Sequence, residues 1–508
     1  MKTPILGSSY VARSINAADS RMVNLFPEIV AEGGKEAAFL QRAPGLKLQA
    51  TVGTGPIRGL WEFGGYLYVV SGNQLYKVDS NFNATLIGTV SGSPSQVSMA
   101  DNGVQLFIAC DGPSYIYNST TGVFAQITDA DFPGAVTVSY LDGYFVFNEP
   151  NSQRIWVTSL LDGTSVDPLD FASAEGAPDG VVGIIADHRE LWVFGTNSIE
   201  VWYNSGNADF PFERIQGAFN ELGCASPHCI AKLDNGLFWL GQDARGKGMV
   251  YRANGYAGAR ISTHAVEWQI QQYSDISDAI AYTYQQDGHS FYVLTFPSAD
   301  TTWVYDASTQ AWHERAGWSN GSFTRHRSNC RAFFDQNVVV GDYENGNLYA
   351  FDLTYYLDDG ATQKWLRSWR ALPQGQNNLK RTAHHSLQLD CEVGVGVDGS
   401  EYFDLILATE ENEALLTESG DDIRIDEYVA STGQDPQVCL RWSDDGGHTW
   451  SNEHWTSMGK VGEYGRRVLW RRLGMTQKLR DRVYEISGTD PVKVYIMGAE
   501  LIASPTNA

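Results

Sequence analysis

Long apolar runs are missing from this sequence, because no stretch approaches the roughly 20 apolar residues that cross a bilayer as a helix. The opening residues Met1 to Pro4 lead into polar sequence without the apolar core of a signal peptide. Cysteine is also scarce, with six residues scattered over 508 positions. We therefore expect no membrane insertion, and synthesis in a reducing cytosol where the thiols stay free.

Motifs of catalysis and metal binding are missing as well. The sequence has no G-x-x-x-x-G-K-[ST] phosphate loop and no H-E-x-x-H zinc motif. Cys224, His228 and Cys229 supply only three ligands, at a spacing unusual for zinc. His384 and His385 are adjacent, so on a strand they would face opposite sides. We predict no catalytic residue, no metal ion and no cofactor, and hence no enzyme.

Positive charge is in short supply. The chain has 36 Lys and Arg against 60 Asp and Glu, a formal net charge of −24. A protein that binds duplex DNA ordinarily shows the opposite balance. The charge is consistent either with solubility alone or with a surface that lies near DNA without adhering to it.

One short pattern recurs seven times, a tight polar turn between apolar strand residues. The turns begin at Gly64, Asp101, Asp142, Asp187, Asp234, Asp287 and Asp335. The differences between consecutive positions run from 37 to 53 residues, close to the roughly 40–50 residues of a four-stranded propeller blade. Asp, Asn and Gly suit hairpin turns, and the flanking β-branched and aromatic residues favour strands. The alternative is a β-sandwich with coincidental spacing.

The predicted fold is all-β, with three parts along the chain. Residues 1–50 hold several X-Pro steps and glycines and are expected to form an extended N-terminal arm. Such an arm lends a strand to the last blade or reaches over a neighbouring subunit, and we expect some of both. An irregular β-propeller of six or seven blades is expected over 51–365. A C-terminal β-sandwich-like domain is expected over 366–508, because single cores stop growing near 250–300 residues.

The C-terminal part contains one Asp-box, the pattern S-x-D-x-G-x-T-W. Its fixed positions are Ser443, Asp445, Gly447, Thr449 and Trp450. The pattern predicts a hairpin turn in which the Asp carboxylate accepts backbone N–H bonds. Sialidases carry several such boxes in structural positions, so a carbohydrate-binding or sialidase-like propeller is an alternative function. No carboxylate pair for glycoside hydrolysis can be singled out.

Two segments depart from the average charge. The segment Lys460 to Arg482 has eight basic and two acidic residues, a local net charge of 8 − 2 = +6. Read as a strand, it places Arg467 and Arg471 on one face and Val468 and Trp470 on the other. We predict that this basic stripe pairs with the acidic surface of a neighbouring copy, and DNA contact is the alternative. An opposite, acidic segment includes Glu410, Glu411, Glu413, Asp421, Asp422, Asp426 and Glu427.

Four stretches carry a family resemblance. They are Arg21–Glu28, Ala43–Leu46, Arg441–Gly446 and Arg466–Gly474. Together with the irregular propeller, they resemble the packaged-DNA stabilisation proteins of short-tailed, podovirus-type bacteriophages, also called tail hub or nozzle proteins. The resemblance covers nearly the whole chain.

The resemblance implies a structural protein of the virion tail, assembled in the host cytoplasm. Such a protein forms a homohexameric ring below the portal-adaptor protein, is closed by a tail needle or plug, and can lie beside a tailspike or fibre. It retains packaged DNA and forms the conduit for DNA ejection, so duplex DNA passes without specific binding.

Site residues follow from the resemblance as hypotheses. Contacts to a neighbouring subunit or to the adaptor are assigned to Arg21, Asn24, Phe26, Arg466, Arg467, Arg471 and Arg472. The acidic segment from Glu410 to Glu427 is the candidate lining of the ring lumen, where negative charge would repel DNA.

Overall fold

The protein is described by a computed structural model that leaves out a few short segments. Outside the described residues lie 15–17, 31–32, 35, 175, 178, 208–209, 244–245, 372–379, 398–399, 407–423, 431–432, 478–480 and 507–508, and also the side chains of 243, 400–406 and 424–430. The chain divides into two compact units. The propeller unit comprises Ser8–Asn24 and Ala43–Ala361, and the sandwich unit comprises Met1–Gly7, Leu25–Arg42 and Thr362–Ala508.

Among the described residues, the propeller unit contains seven largely antiparallel sheets, the blades, each with at least four strands, and a small two-stranded sheet of Tyr10–Val11 and Asp19–Ser20. Every recurring turn in the sequence joins two neighbouring strands of one blade; in blade 5 these are Ala231–Leu233 and Gly236–Asp243, and in the other blades they are the first two strands. At Asp142 and Gly143, for example, φ is 50° and 98°. Asp and Gly are among the residues that adopt this left-handed region with least strain, which is why the turns could be recognised from sequence.

The first four blades follow one another without interruption. Their strands are Ile57–Phe63, Tyr66–Ser71, Gln74–Val78 and Ala84–Thr89 in blade 1; Ser98–Asp101, Gln105–Ala109, Ser114–Asn118 and Phe124–Gln126 in blade 2; Val138–Leu141, Tyr144–Asn148, Arg154–Val157 and Phe171–Ser173 in blade 3; and Val181–Asp187, Glu190–Gly195, Ile199–Asn204 and Phe212–Asn220 in blade 4.

The last three blades contain additional strands. Their strands are Gly223–Cys224, Ala231–Leu233, Gly236–Asp243, Gly246–Asn254 and Ala257–Arg260 in blade 5; Ile280–Gln286, His289–Phe296, Thr301–Asp306 and Ala311–Ser319, with Ser322–Arg325 and Met22–Val23, in blade 6; and Ser328–Phe334, Asn337–Asp342, Asn347–Asp352 and Gly45–Thr51, with Leu357–Asp358, in blade 7.

The ring of blades is closed by the N-terminal part of the propeller unit. Strand Gly45–Thr51 pairs antiparallel with Asn347–Asp352 and forms the outer strand of blade 7. The first strand of blade 7 also contacts the first strand of blade 1. Of the two arrangements considered for the arm, lending a strand to the last blade is therefore present in the structure.

Aromatic side chains fill the spaces between neighbouring blades. Phe107 of blade 2 lies 5.5 Å from Phe145 of blade 3, measured between ring centroids. Phe238 of blade 5 stacks on Tyr292 of blade 6 at the same distance. Because each blade presents apolar residues on both faces, the packed core is a circle of interfaces rather than one central mass.

Helix is rare among the described residues. One α-helix, His264–Gln271, lies between blades 5 and 6, and Pro227–Cys229 and Pro297–Ala299 are short 3₁₀ turns. The α-helix begins where the Thr263 side chain accepts a hydrogen bond from the Val266 amide. No helix in the described part of the chain is long and apolar enough to cross a membrane.

The sandwich unit contains two sheets. The first is ordered Val468–Arg471, Thr382–Cys391, Tyr495–Pro505, Ala38–Arg42 and Leu25–Ile29, with Lys2–Thr3 on the third strand; the second is ordered Trp365–Arg370, Val483–Gly488, Gln437–Ser443 and His454–Ser457. His384 of the first sheet and Tyr484 of the second share a 2.6 Å hydrogen bond, so the two sheets face each other. A separate hairpin pairs Ser400–Ile406 with Arg424–Ala430.

The N-terminal residues 1–50, expected as one extended arm, are divided between both units. Residues 25–29 and 38–42 form a hairpin in the first sheet of the sandwich unit, whereas Gly45–Thr51 belongs to blade 7. The sequence shows no alternation long enough to reveal these short strands, because Ala38–Arg42 and Gly45–Thr51 are completed by partners about 300 residues or more away.

Candidate functional site

A cavity of about 540 Å³ lies at the centre of the propeller unit. It is lined by the first strands of six blades and, in blade 5, by Ala231–Leu233 with His228 and Ile230 just before it. A volume of this size falls in the range of about 300–1,000 Å³ typical of small-molecule sites.

Hydrogen bonds between neighbouring blades fix the cavity wall. The Ile184 amide of blade 4 donates to the Thr137 hydroxyl of blade 3 at 2.9 Å. The Thr283 hydroxyl of blade 6 donates to the Lys232 carbonyl of blade 5 at 2.6 Å. The Asn329 side chain of blade 7 donates to a backbone carbonyl of blade 1. These bonds hold the inner strands in register, so the lining side chains have fixed positions.

The charges in the cavity wall oppose the charge of the chain. Arg58, His228, Lys232 and Arg331 line the cavity, and Asp101 is the one carboxylate among its lining residues. Both oxygens of Asp101 are already bound, one by the Trp61 indole N–H at 2.9 Å and the other by the Gly103 amide. Glycoside hydrolysis uses two carboxylates, so this lining gives the sugar-processing alternative no support.

The two arginines in the wall differ in how they are bound. The guanidinium of Arg58 donates to the carbonyls of Gly72, Ser91 and Ser95, but its buried Nη2 has no partner among the described residues. The Arg331 guanidinium reaches the Thr283 hydroxyl at 3.4 Å, a weak contact. Burial lowers the pKa of both arginines, and it also lowers the pKa of His228 to about 4.

A shallower depression adjoins the cavity where the turns between first and second strands lie. Lys232 and Arg331 line both spaces. In the depression, the Asp187 carboxylate lies 2.8 Å from His188 Nδ1 and 3.6 Å from Lys232 Nζ. The hydrogen bonds that the Asn235 and Asp187 side-chain oxygens accept from the ring raise the pKa of His188. The sequence analysis did not identify this group of charged side chains. The feature that could have revealed it is Lys232, a basic residue within an otherwise apolar inner strand.

The basic stripe proposed from sequence lies on the sandwich unit. Strand Val468–Arg471 buries Val468 and Trp470 and exposes Arg471, which is the expected alternation. Arg466, Arg467 and Arg472 are exposed too. Arg467 donates to the Gln388 side chain at 2.7 Å, and none of the four arginines has an ion-pair partner among the described residues.

Arg482 was included in the stripe, but it lies inside the sandwich unit and is 1 % exposed. Its guanidinium binds both carboxylate oxygens of Asp444, at 2.6 and 2.8 Å. Arg482 can be buried because the Asp444 carboxylate and the Leu473 carbonyl together compensate its charge and its N–H donors. Lys478 and Arg480 lie outside the described residues.

The arm residues proposed as external contacts require a correction as well. Asn24 and Phe26 are 1 % and 2 % exposed, so neither side chain is available to a neighbour. Asn24 donates to the Ala316 carbonyl at 2.8 Å and accepts from the Ala316 amide at 3.0 Å. Arg21 forms a two-pronged ion pair with Glu314 and keeps 38 % of its side chain exposed.

The Asp-box forms the turn expected of it. The Asp445 carboxylate accepts from the Ser443 hydroxyl at 2.6 Å and from the Thr449 amide and hydroxyl at 2.9 and 2.6 Å. These bonds hold the pKa of the Asp445 carboxyl well below its usual range. The Gly447 amide donates to the Ser443 hydroxyl. The Arg441 guanidinium lies 4.9 Å from the centroid of the Trp450 ring.

The acidic lumen candidates cannot be placed. Glu410, Glu411, Glu413, Asp421 and Asp422 lie outside the described residues. Asp426 and Glu427 belong to strand Arg424–Ala430, of which only the backbone is described.

One run of letters, G-x-S-x-G at Gly317–Gly321, matches a hydrolase motif that requires a strand followed by a helix. Here Ser319 ends a strand and pairs with Ser322 across a hairpin. The turn residues Asn320 and Gly321 have φ of 50° and 78°. The run is a hairpin turn. In the described part of the chain, no group of three His, Cys, Asp or Glu side chains could hold a metal ion.

Comparison with known proteins gives two family matches. Residues 1–356 match the family described as "Bacteriophage P22 Gp10, beta-propeller", and residues 407–504 match "Bacteriophage P22 Gp10, beta-sandwich". Both confirm the propeller and sandwich predicted from the sequence. The tail hub protein gp10 of Salmonella phage P22 is 24 % identical over 257 residues, which are 48 % of this chain and 53 % of that protein. The match thus spans about half of the relative's length.

Solved structures resemble the chain only distantly. The computationally designed Ika8 protein has a TM-score of 0.38 and 12 % identity, covering 60 % of this chain and 99 % of its own. The extracellular domain of the hybrid two component system BT4673 from B. thetaiotaomicron has a TM-score of 0.41 and 13 % identity, covering 87 % and 58 %. These values are too low to bear on function.

Proposed function

Because this chain belongs to the bacteriophage P22 Gp10 β-propeller family, we propose that it is a structural tail hub protein of a short-tailed phage particle. The family match over residues 1–356 is the observation that carries the proposal. It agrees with the resemblance drawn from Arg21–Glu28 and the three other stretches. A structural role also fits the cavity wall, whose one carboxylate is fully hydrogen-bonded.

The hub forms a ring of identical copies, six in number, below the portal-adaptor protein. A cyclic ring needs two different, complementary patches on each subunit. The first is the basic stripe on the sandwich unit, defined from here on as Arg466, Arg467, Arg471 and Arg472. The exposed side chains of Val461 and Tyr464 lie just before it in the chain. Interfaces are enriched in arginine and aromatic residues of this kind.

The second patch is the acidic turn side of the propeller unit. The turn between the first two strands lies on the same side of every blade, so the aspartates of those turns share one surface. They are Asp142, Asp187, Asp234, Asp287 and Asp335. Attraction between this surface and the basic stripe of the next copy would fix the direction of the ring.

The ring retains packaged DNA and later conducts it. An acidic lumen would repel the DNA phosphates over a Debye length of about 10 Å at moderate salt, which keeps friction low. The proposal assigns this lining to the acidic segment from Glu410 to Glu427. A needle or plug closes the ring, and a tailspike or fibre docks beside it. The net charge of −24 supports this assignment.

The proposal is tested on phage particles. An antibody against this protein should label the tail tip in electron micrographs, and particles assembled without the protein should package DNA and then lose it. Labelling of the capsid shell, or stable DNA-filled particles without the protein, would contradict the hub role.

A further inference from the structure

The central cavity of the propeller unit concentrates positive charge in an acidic protein. Its lining holds two arginines and one lysine, together with His228, whose pKa is lowered to about 4 by burial so that it is neutral at pH 7; the carboxylate among the described lining residues is Asp101, which accepts one hydrogen bond on each oxygen. Arg58 has a packing role, because it donates to the carbonyls of Gly72, Ser91 and Ser95, whereas the described residues give Arg331 no comparable set of bonds. Lys232 is paired with Asp187, and Asp111 acts on Arg58. Burying a cation without a counter-charge is costly, so the remaining arginine, Arg331, needs a physical reason.

Arg331 has the least satisfied charge of the cluster. Its guanidinium is partly buried in the wall and makes one weak contact, to the Thr283 hydroxyl. That hydroxyl already donates to the Lys232 carbonyl at 2.6 Å. The described residues offer Arg331 no carboxylate partner. Burial lowers its pKa, as expected for an uncompensated cation.

Lys232 stands two blades away from Arg331 around the ring, with Thr283 of blade 6 between them. The Lys232 side chain is 49 % exposed, and its ammonium lies 3.6 Å from the Asp187 carboxylate, a loose ion pair. The same carboxylate is bound more closely by His188, at 2.8 Å. Lys232 can therefore turn toward the cavity without leaving Asp187 unpartnered.

We propose that the propeller cavity binds a small phosphate-class oxyanion between Arg331 and Lys232. A guanidinium presents paired N–H donors that match the oxygens of a phosphate, and an ammonium adds a mobile charge. The volume of about 540 Å³ holds inorganic phosphate or triphosphate with water. Duplex DNA is excluded, because it is wider than its own major groove of about 12 Å and cannot enter a cavity of this volume.

Calorimetric titration of the full-length protein with inorganic phosphate, and separately with triphosphate, tests the site at constant ionic strength. Saturable 1:1 binding is expected for the wild type, with tighter binding of triphosphate if the source is a polyphosphate chain. Arg331→Gln should weaken binding at least about tenfold, since hydrogen bonds to charged groups are the strong ones. Bound anion should also raise the melting temperature of the wild type.

Two further variants keep the test decisive. Lys232→Gln changes a half-exposed residue, so it should retain the fold and still weaken binding. Arg189→Gln removes the same charge at a side chain that is 82 % exposed and outside the cavity lining, and it should bind as the wild type does. Absence of saturable binding, or equal loss in all three variants, would overturn the site. Ring formation, measured on the same samples, reports separately on the hub role.

Discussion

At the scale of single residues, Asp445 anchors the Asp-box turn. Its carboxylate accepts hydrogen bonds from Ser443 and Thr449. Asp445→Asn removes the charge and one acceptor, so we expect the unfolding free energy of the sandwich unit to fall by about 1 kcal/mol. Denaturant unfolding at neutral pH measures this loss of unfolding free energy. Asp287→Asn, in an exposed propeller turn, is the charge-matched control and should change little.

The loss at Asp445 should also depend on pH. Its pKa is lowered in the folded protein, first by the Ser443 hydrogen bond and then by Thr449. The stabilisation is therefore present above the unfolded-state pKa of about 3.9 and disappears as pH falls through the folded value. A difference between wild type and Asp445→Asn that grew on acidification would contradict the geometry.

His326 predicts a second pH effect, of opposite chemistry. Burial, with Arg315 and Arg327 nearby, lowers the pKa of His326 from 6.5 to about 3. Between these values the unfolded chain binds a proton that the folded protein does not, so stability falls as pH drops below 6.5. His326→Asn, which preserves an acceptor for Ser328, should reduce this slope by up to about 1.4 kcal/mol per pH unit. An unchanged slope in this variant would contradict the burial of a neutral His326.

At the scale of elements, the closing strand Gly45–Thr51 offers a matched pair of leucines. Leu46 is fully buried, whereas Leu48 is 45 % exposed. Leu46→Ala should lower the free energy of unfolding by about 2–5 kcal/mol, and Leu48→Ala should cost far less. Thermal and denaturant unfolding of both variants measure the difference. Equal effects would show that blade 7 does not depend on the buried face of this strand.

The elements also show what the sequence could predict. Turns such as Asp142–Gly143 are local, because two residues with suitable φ preferences suffice to form them. The partner of Gly45–Thr51 is about 300 residues away, and no local pattern identifies it. Burial depends on partners in the same way: Arg482 looks like a surface arginine until Asp444 is placed beside it. The basic residues of the cavity were missed because they come from blades 1, 5 and 7, which are far apart in the sequence.

At the scale of the whole molecule, the basic stripe should control assembly but not folding. Changing Arg466, Arg467, Arg471 and Arg472 to Glu should leave a folded monomer that forms no rings, since four exposed charges are reversed. Rising salt screens the same charges, so it should shift wild-type rings toward the monomer. The control reverses four other exposed cations, Lys2, Lys47, Arg154 and Arg189. Normal rings from the stripe variant would discard the assignment.

The central claim, that this chain is a ring-forming tail hub, is tested most directly by the mass of its assemblies. Light scattering and negative-stain imaging of the purified protein, alone and with portal and adaptor proteins, give both mass and symmetry. The account predicts six-fold rings, formed alone or on the adaptor. A persistent monomer that ignores the portal complex would contradict it.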